Sequence, residues 1–524
     1  MKKDEKEKSK VRLSEKLIFA LRRIGRVLIS RYTITLVIIL LELLLVEHLF
    51  ITITDNLLIT TAAVFVLHAV AFVHLVNRNT NPEYKVTWMA VLLIPVAGVF
   101  LYFLFFERRL SDRETELLLA IKDELTDEEN DRLPEKNEEH YGIVRTLLAD
   151  DELARVYHGT TSTFFPSGEE YFEHLIADIK EAKRFIFLEY FIIEEGELWQ
   201  RILTELKKKA REGVDVRVLY DDIGCMQTLS PLYERYLRQQ GISAYRFGRV
   251  TPKLSSIHNN RDHRKIAVID GKVGYTGGVN IADEYVNIKE KFGHWKDGGI
   301  RLSGNGALGL TRLFLSMWDY TVGYSGDYSH LIEIDEGQSG DGGIYLPFGS
   351  GPAPIYKEKV GKNLFINIIN RAEQSICITT PYLIVDYELT EALCKASRRG
   401  VDVRIITPGI ADKKIIKIMT KSSYPYLMKS GVKIYEYLPG FIHEKTLIAD
   451  GKYMVVGTVN LDYRSLIHHF EDGVLIIDSP VILAAAEAFE QTIEKSDFRD
   501  NEEAKLNIIE WTLRNIIRIF APLL

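Results

Sequence analysis

Cysteine is scarce: Cys225, Cys377 and Cys394 are the only three in 524 residues, and they form no C-x-x-C pair. That excludes a disulfide framework and fits small apolar residues in a reducing compartment. No group of histidines, cysteines and carboxylates has metal-ligand spacing, and no G-x4-G-K-[S/T] phosphate loop occurs. Neither a resident metal nor any other cofactor is therefore expected. Positive charge is not in excess, since 66 Lys and Arg against 73 Asp and Glu give a net charge of −7. This argues against a nucleic-acid partner, which demands a basic face, and leaves room only for a local basic cleft. A cleavable signal peptide is also lacking, because the N-terminal basic region is too long and no small-residue cleavage site follows it.

What is present is a motif that occurs twice. His263-Arg-Lys-Ile-Ala-Val-Ile-Asp270 continues to Gly277-Gly-Val-Asn280, and His443-Glu-Lys-Thr-Leu-Ile-Ala-Asp450 continues to Gly457-Thr-Val-Asn460. Both copies read H-x-K-x4-D-x6-G-[G/T]-x-N. In each, Asp-Gly-Lys separates two β-rich runs, which is a strong hairpin signal. His and Lys two apart on a strand share one face, and the paired strand returns the Asn to the same end. One H-x-K is commonly two surface polars on an edge strand. Two identical constellations, at 263 and 443, point instead to a repeated phosphate-binding and phosphate-attacking kit.

The chain around them divides by composition. Residues 1–31 hold eleven Lys and Arg against four Asp and Glu, with Leu17, Leu21, Ile24 and Leu28 at helical spacing, a basic amphipathic helix suited to anionic lipid. Within 32–109 follow three apolar runs, 33–50, 57–76 and 87–106, each long enough to span about 30 Å of hydrocarbon. Glu42, Glu47, His48, His68 and His74 are costly there, which favours pairing of the first two runs as a hairpin that hides them. Three spans place the termini on opposite sides. The basic N-terminus and Arg108, Arg109 and Arg113 after the third run both ask for the cytoplasm.

Residues 110–140 read as a charged, solvated linker, and a soluble α/β region follows. Here the repeat widens: Gly213-Val-Asp-Val-Arg217 recurs as Gly400-Val-Asp-Val-Arg404, and Ala182-to-Tyr190 echoes Ala372-to-Tyr382. Each half, 141–340 and 341–500, alternates short β runs with helical patterns, predicting βαβ units in covered sheets. The Gly-rich stretch 337–351 reads as a connector. The tail, 501–524, reads as an amphipathic helix that caps the core.

A neutral imidazole evades the repulsion that a phosphodiester's oxygens present to anions, so one His can attack while the other, as imidazolium, protonates the departing alkoxide. Lys265 and Lys445 would neutralise the non-bridging oxygens, helped by Asn280 and Asn460. Asp297 and Glu471 are candidates to orient a ring nitrogen behind each His. Asp270 and Asp450 belong to the motif of the catalytic set, and their place at the turns makes them holders of it.

The doubled signature resembles the phospholipase D superfamily and, within it, the bacterial cardiolipin synthases. Asn81-Pro-Glu-Tyr-Lys-Val-Thr-Trp88, Tyr220-Asp-Asp-Ile-Gly224, Gly278-Val-Asn-Ile-Ala-Asp-Glu-Tyr285, Trp295-Lys-Asp297, Thr380-Pro-Tyr382, Pro439-Gly-Phe-Ile-His443, Asn460-Leu-Asp-Tyr-Arg-Ser465 and Ala521-Pro-Leu-Leu524 carry the likeness over residues 80–524. It implies two phospholipase D-like halves forming one pseudo-symmetric unit behind transmembrane helices. It also implies transfer of a phosphatidyl group from one phosphatidylglycerol to another, giving cardiolipin and glycerol, at a multi-pass protein of the cell membrane with its catalytic region in the cytoplasm. By the same resemblance His263 is the nucleophile and His443 the proton shuttle, with Glu471 expected behind His443 to raise its pKa. A membrane phospholipase D, a phosphatidyltransferase using serine, and a membrane-tethered nuclease are the competing readings. The sequence sets no oligomeric state.

Overall fold

Both Asp-Gly turns close as the motif requires. In the computed structural model, Asp270 and Gly271 have φ of 56° and 70°, and Asp450 and Gly451 have 54° and 65°. Two successive positive φ values make the tight hairpin whose twist matches its strands. The structure describes residues 57–78, 80–94, 97–106, a few positions between 116 and 125, 140–249, 260–324, 326–353, 355–500 and 508–523.

Each hairpin lies near the centre of a mixed sheet. The first sheet is built from β1 (Thr160–Phe165), β2 (Phe185–Tyr190), β3 (Asp215–Asp221), β4 (Ser243–Phe247), β5 (Lys265–Ile269), β6 (Val273–Gly277) and β8 (Gly299–Gly304), in the order β1-β8-β6-β5-β2-β3-β4. Strands β2, β3 and β4 run parallel, as predicted for βαβ units, and the hairpin side is antiparallel. The second sheet uses β9 (Ile344–Ser350), β10 (Ser375–Thr379), β11 (Asp402–Pro408), β12 (Lys433–Tyr437), β14 (Thr446–Ala449), β15 (Tyr453–Gly457), β16 (Glu471–Ile477) and β17 (Ser496–Phe498). Its order, β9-β16-β15-β14-β10-β11-β12-β17, repeats the first with one strand added. The stretch 337–351 is thus more than a connector: β9 lies within it, pairing antiparallel to β16, and the edge position tolerates Pro347.

The halves are stitched together at their histidines. Strands β7 (His294–Lys296) and β13 (Gly440–Ile442), one from each half, form a two-stranded parallel ribbon. One apolar core runs through both halves, with Phe187, Val268, Leu308 and Phe314 from the first and Leu346, Ile376, Val456 and Leu475 from the second. A second core covers the other face of the first sheet with α4 (Gly168–Glu181) and α5 (Glu197–Arg211). Ile121 and Leu125, within the stretch read as solvated linker, are buried in the shared core.

The expectations for 1–31, for the 33–50 run and for its hairpin lie outside the described residues. The second run forms α1 (Leu57–Asn77). The third is not one helix: α2 (Pro82–Leu92) stops short of Pro95, and α3 (Ala97–Phe105) follows. Among the described residues no helix is long and apolar enough to cross a membrane. His74 Nδ1 lies 2.7 Å from the Tyr102 hydroxyl of α3, so the polar ring is partnered within this cluster. Large apolar side chains nevertheless stay exposed there, among them Phe65, Val73, Leu93 and Phe103. Pro82 opens α2 behind an Asn81 cap that accepts the Glu83 N–H. The same Asn81 donates to Asp386 at 3.1 Å, and Glu83 accepts from the Tyr387 N–H at 2.8 Å. Thr87 donates to the Ile519 carbonyl of the C-terminal helix (Ile508–Ile519) at 2.6 Å. That helix therefore links the apolar helices to the second half.

Candidate active site

His263 and His443 precede their hairpins, and each is gripped by the opposite half. The His263 N–H donates to the Phe470 carbonyl at 2.8 Å, and the His443 N–H to the Lys296 carbonyl at 2.7 Å. The next residue in each case is a carboxylate. His263 Nδ1 therefore faces Glu471, at 2.8 and 3.0 Å from its two oxygens, and His443 Nδ1 lies 2.7 Å from Asp297 Oδ2. The orienting carboxylates are the two predicted, but they are exchanged: Glu471 serves His263, and Asp297 serves His443. Backbone pairing across the halves, which spacing within one motif cannot reveal, makes the exchange.

Burial governs the charges. It pushes His263 down to about 3 and His443 down to about 4, in spite of the carboxylates that favour the protonated rings. The expected rise at His443 is thus reversed: the ring loses more by desolvation than its carboxylate returns. Burial would raise Glu471 and Asp297, yet their paired rings, with Lys445 beside Asp297, hold both below the usual carboxylate range. At neutral pH each ring is then a neutral imidazole that donates from Nδ1 to a carboxylate, leaving Nε2 with a free lone pair.

The lysines are buried too, and burial lowers Lys265 to about 8 and Lys445 to about 7. Each ammonium donates to the carbonyl of its own histidine two residues back, Lys265 at 2.7 Å. An entering phosphate brings negative charge that favours both lysines protonated.

The asparagines differ. Asn280 is used up structurally, its Oδ1 accepting the Ile192 N–H at 2.9 Å and its Nδ2 donating to the Tyr285 hydroxyl at 2.8 Å. The Asn460 Oδ1 is buried with no hydrogen-bond partner among the described residues. Asp270 and Asp450 do not reach the histidines. Asp270 accepts the N–H groups of Lys183, Arg184 and Phe185 at 2.7–2.9 Å, and Asp450 those of Glu373, Gln374 and Ser375 at 2.8–2.9 Å. They fasten each hairpin to the start of the neighbouring strand.

Three contacts went unread in the sequence. Thr458, at the one motif position that varies between Gly and Thr, donates its hydroxyl to Glu471 Oε2. Its counterpart Gly278 has no room for a side chain, because a Cβ there would lie 2.1 Å from Asp297 Oδ1. The variable letter was the available signal. Asp472 binds the Lys265 N–H at 3.2 Å and the Thr276 hydroxyl at 2.5 Å, a further brace between the halves. His469 is buried beside Glu471, its Nδ1 3.7 Å from Oε1, so that His263, His469 and Glu471 form a group whose ligand atoms lie within 4.8 Å of one another. Sequence spacing does not show this group, because His263 lies about two hundred residues from the other two.

Comparison with known proteins agrees with this geometry. A family model described as "Cardiolipin synthase, PLD-like domain" matches residues 175–291 and 365–493, and one described as "Phospholipase_D-nuclease N-terminal" matches 66–105. The chain is 32% identical over 490 residues to a cardiolipin synthase of Geobacillus sp. (strain WCH70), covering 90% of this chain and 93% of that one. It is 39% identical over 460 residues to an uncharacterized protein of Streptococcus mutans, covering 86% and 99%. Among solved structures, phosphatidylserine synthase of Haemophilus influenzae shares the fold, with a TM-score of 0.52 at 16% identity over 69% of this chain and 94% of that one.

Proposed function

The chain belongs to the cardiolipin synthase family of phospholipase D-like proteins and is a phosphatidyltransferase; from that premise we propose that it makes cardiolipin and glycerol from two molecules of phosphatidylglycerol. The observation that carries the reading is the cross-braced pair of neutral, carboxylate-backed imidazoles with a buried lysine beside each.

In the proposed reaction His263 Nε2 attacks the phosphorus of the donor lipid. A P–N bond forms as the P–O bond to glycerol breaks, and His443, protonated in the substrate complex, gives its proton to the leaving oxygen. Lys265 and Lys445 take up charge on the non-bridging oxygens. His443, now neutral, removes the proton from the acceptor's hydroxyl, whose oxygen displaces His263 and restores the enzyme. One phosphodiester replaces another, so no nucleotide is consumed. Water must be excluded from the phosphohistidine. The exposed apolar face of α1 to α3 supports a site held against the bilayer, with the donor and acceptor drawn from it.

The test is direct. Purified enzyme in phosphatidylglycerol vesicles should release cardiolipin and glycerol in equal amounts, followed by mass analysis of the lipids. Phosphatidic acid as the sole product would make the enzyme a hydrolase instead.

A further inference from the structure

His469 is a buried imidazole that the transfer reaction leaves without work. It is 8% exposed, and among the described residues neither ring nitrogen has a hydrogen-bond partner. Buried polar atoms are nearly always satisfied, so an orphaned ring beside a reactive group asks for a ligand. Its centroid lies 5.5 Å from that of His263. The position that matches it in the other half, two residues before the carboxylate, is Trp295, whose ring lies 5.5 Å from that of His443 and offers no lone pair.

We propose that His263, His469 and Glu471 form a binding site for a borderline divalent ion such as Zn²⁺, and that the bound ion switches the enzyme off. Two imidazoles and one carboxylate are a donor set zinc takes, and imidazole donors favour zinc or copper over magnesium and calcium, which prefer all-oxygen shells. Ligand atoms around a tetrahedral zinc stand roughly 3.3 Å apart, so donors within 4.8 Å need only small side-chain rotations to close on the ion. The Thr458 hydroxyl already orients the carboxylate from behind.

Binding replaces a proton by a metal. As the ion takes His263 Nδ1, a Glu471 oxygen and one His469 nitrogen, with water completing the shell, the proton leaves Nδ1 and an equal one settles on Nε2, so the ring stays a neutral imidazole. With Nε2 now an N–H, the His263 ring has no lone pair to offer phosphorus, and the ion holds it in that state. The inhibition rests on the reading of His263 as nucleophile; the binding site itself does not.

The experiment uses the full chain in detergent, stripped with EDTA and dialysed. Co²⁺ titration should give visible absorption bands of a four- or five-coordinate site saturating at one equivalent, and Zn²⁺ should abolish them. His469→Asn should weaken Co²⁺ binding by at least tenfold. It should also raise the Zn²⁺ concentration for half-inhibition by the same factor, measured against the variant's own zinc-free rate. His469→Gln, whose longer amide fills the ring's space differently, repeats the test if Asn fails to fold. Co²⁺ binding that is unchanged in both variants, or no saturable band at all, overturns the site. A band that depends on His469 while Zn²⁺ leaves turnover intact overturns the switch and the nucleophile assignment with it. If the EDTA-stripped enzyme makes no cardiolipin from phosphatidylglycerol, the proposed function fails instead.

Discussion

Around His443 stand the rings of Tyr285, Trp295 and Phe441, with centroids 5.5–5.7 Å away, whereas around His263 stand Phe191, His469 and, behind Glu471, the Thr458 hydroxyl. The scaffold under both is the same, down to sheet order, the histidine N–H bond across the halves and the aspartate at each hairpin turn. The duplicated part fixes where two imidazoles stand. The unduplicated part decides what each can do. An aromatic collar favours a ring that stays put and exchanges one proton. Burial keeps the His263 ring neutral, and a carboxylate facing Nδ1 through both oxygens fixes one tautomer with Nε2 ready to attack.

The largest effect should come from breaking the division of labour itself. His263→Ala should lower turnover on phosphatidylglycerol by on the order of 10⁴-fold, the scale of losing a triad member. It should form no covalent adduct with a p-nitrophenyl phosphodiester, whose leaving group needs no proton. His443→Ala should still form that adduct. Phosphohistidine trapped at 443 and not at 263 would exchange the roles while leaving the comparison standing.

Next come the carboxylates, where the exchange between halves is tested. Glu471→Gln frees the wrong tautomer at His263, so the covalent step should slow by on the order of 10³-fold. Asp297→Asn should spare that step with the activated substrate and slow only the reaction whose leaving group needs protonation. If Glu471→Gln acted on proton delivery and Asp297→Asn on attack, the pairing across the halves would be refuted.

How much of this could be read beforehand depends on which link of the chain carried it. The hairpins, the parallel βαβ stretch and the set of four histidine and lysine side chains follow from local periodicity and Asp-Gly turns, so the sequence announced them. The exchange of Asp297 and Glu471 is a property of pairing between strands far apart in the chain, as in the ribbon of β7 and β13. No spacing within one motif encodes it. The expected rise at His443 fails for a related reason, since a carboxylate neighbour is visible in a sequence but the depth of burial is not. The third apolar run is long enough to span, yet its helix ends at Leu92 and another begins at Ala97, a break that length alone does not show. Strand β9 was hidden because its glycines read as a connector.

The lysines give a smaller and graded effect. Lys445→Met or Lys265→Met should cost on the order of 10²-fold in turnover, as for one lost oxyanion donor. Lys445 also predicts a pH dependence. Burial lowers it to about 7, so in the free enzyme it is charged below that pH and neutral above it. The quantity kcat/KM, which reports the free enzyme, should therefore fall as pH rises through about 7. The Lys445→Arg variant, charged throughout, should lose the fall and run at a lower plateau, because a planar fork does not replace a point charge. A profile flat from pH 6 to 9 in the unmodified enzyme would place the ammonium outside the rate-determining charge balance.

The smallest effect on chemistry should come from the pair that is most alike. Asp270 and Asp450 each accept three backbone N–H groups at the start of the neighbouring strand and hold a positive φ at their turn. Their alanine variants leave those donors to water or unpaired and place a Cβ residue without a polar side chain in the left-handed region. A stability loss of about 1–3 kcal/mol is expected for each. Asparagine tolerates the same φ and keeps one acceptor oxygen, so Asp→Asn should cost less than Asp→Ala at both positions. Turnover per folded molecule should stay within about twofold of the unmodified enzyme, since neither carboxylate reaches a histidine. Thermal unfolding alongside active-site titration separates the two quantities. If either variant lost turnover at full stability, that aspartate would act on the imidazole after all, and the two halves would differ at the one place where they look identical.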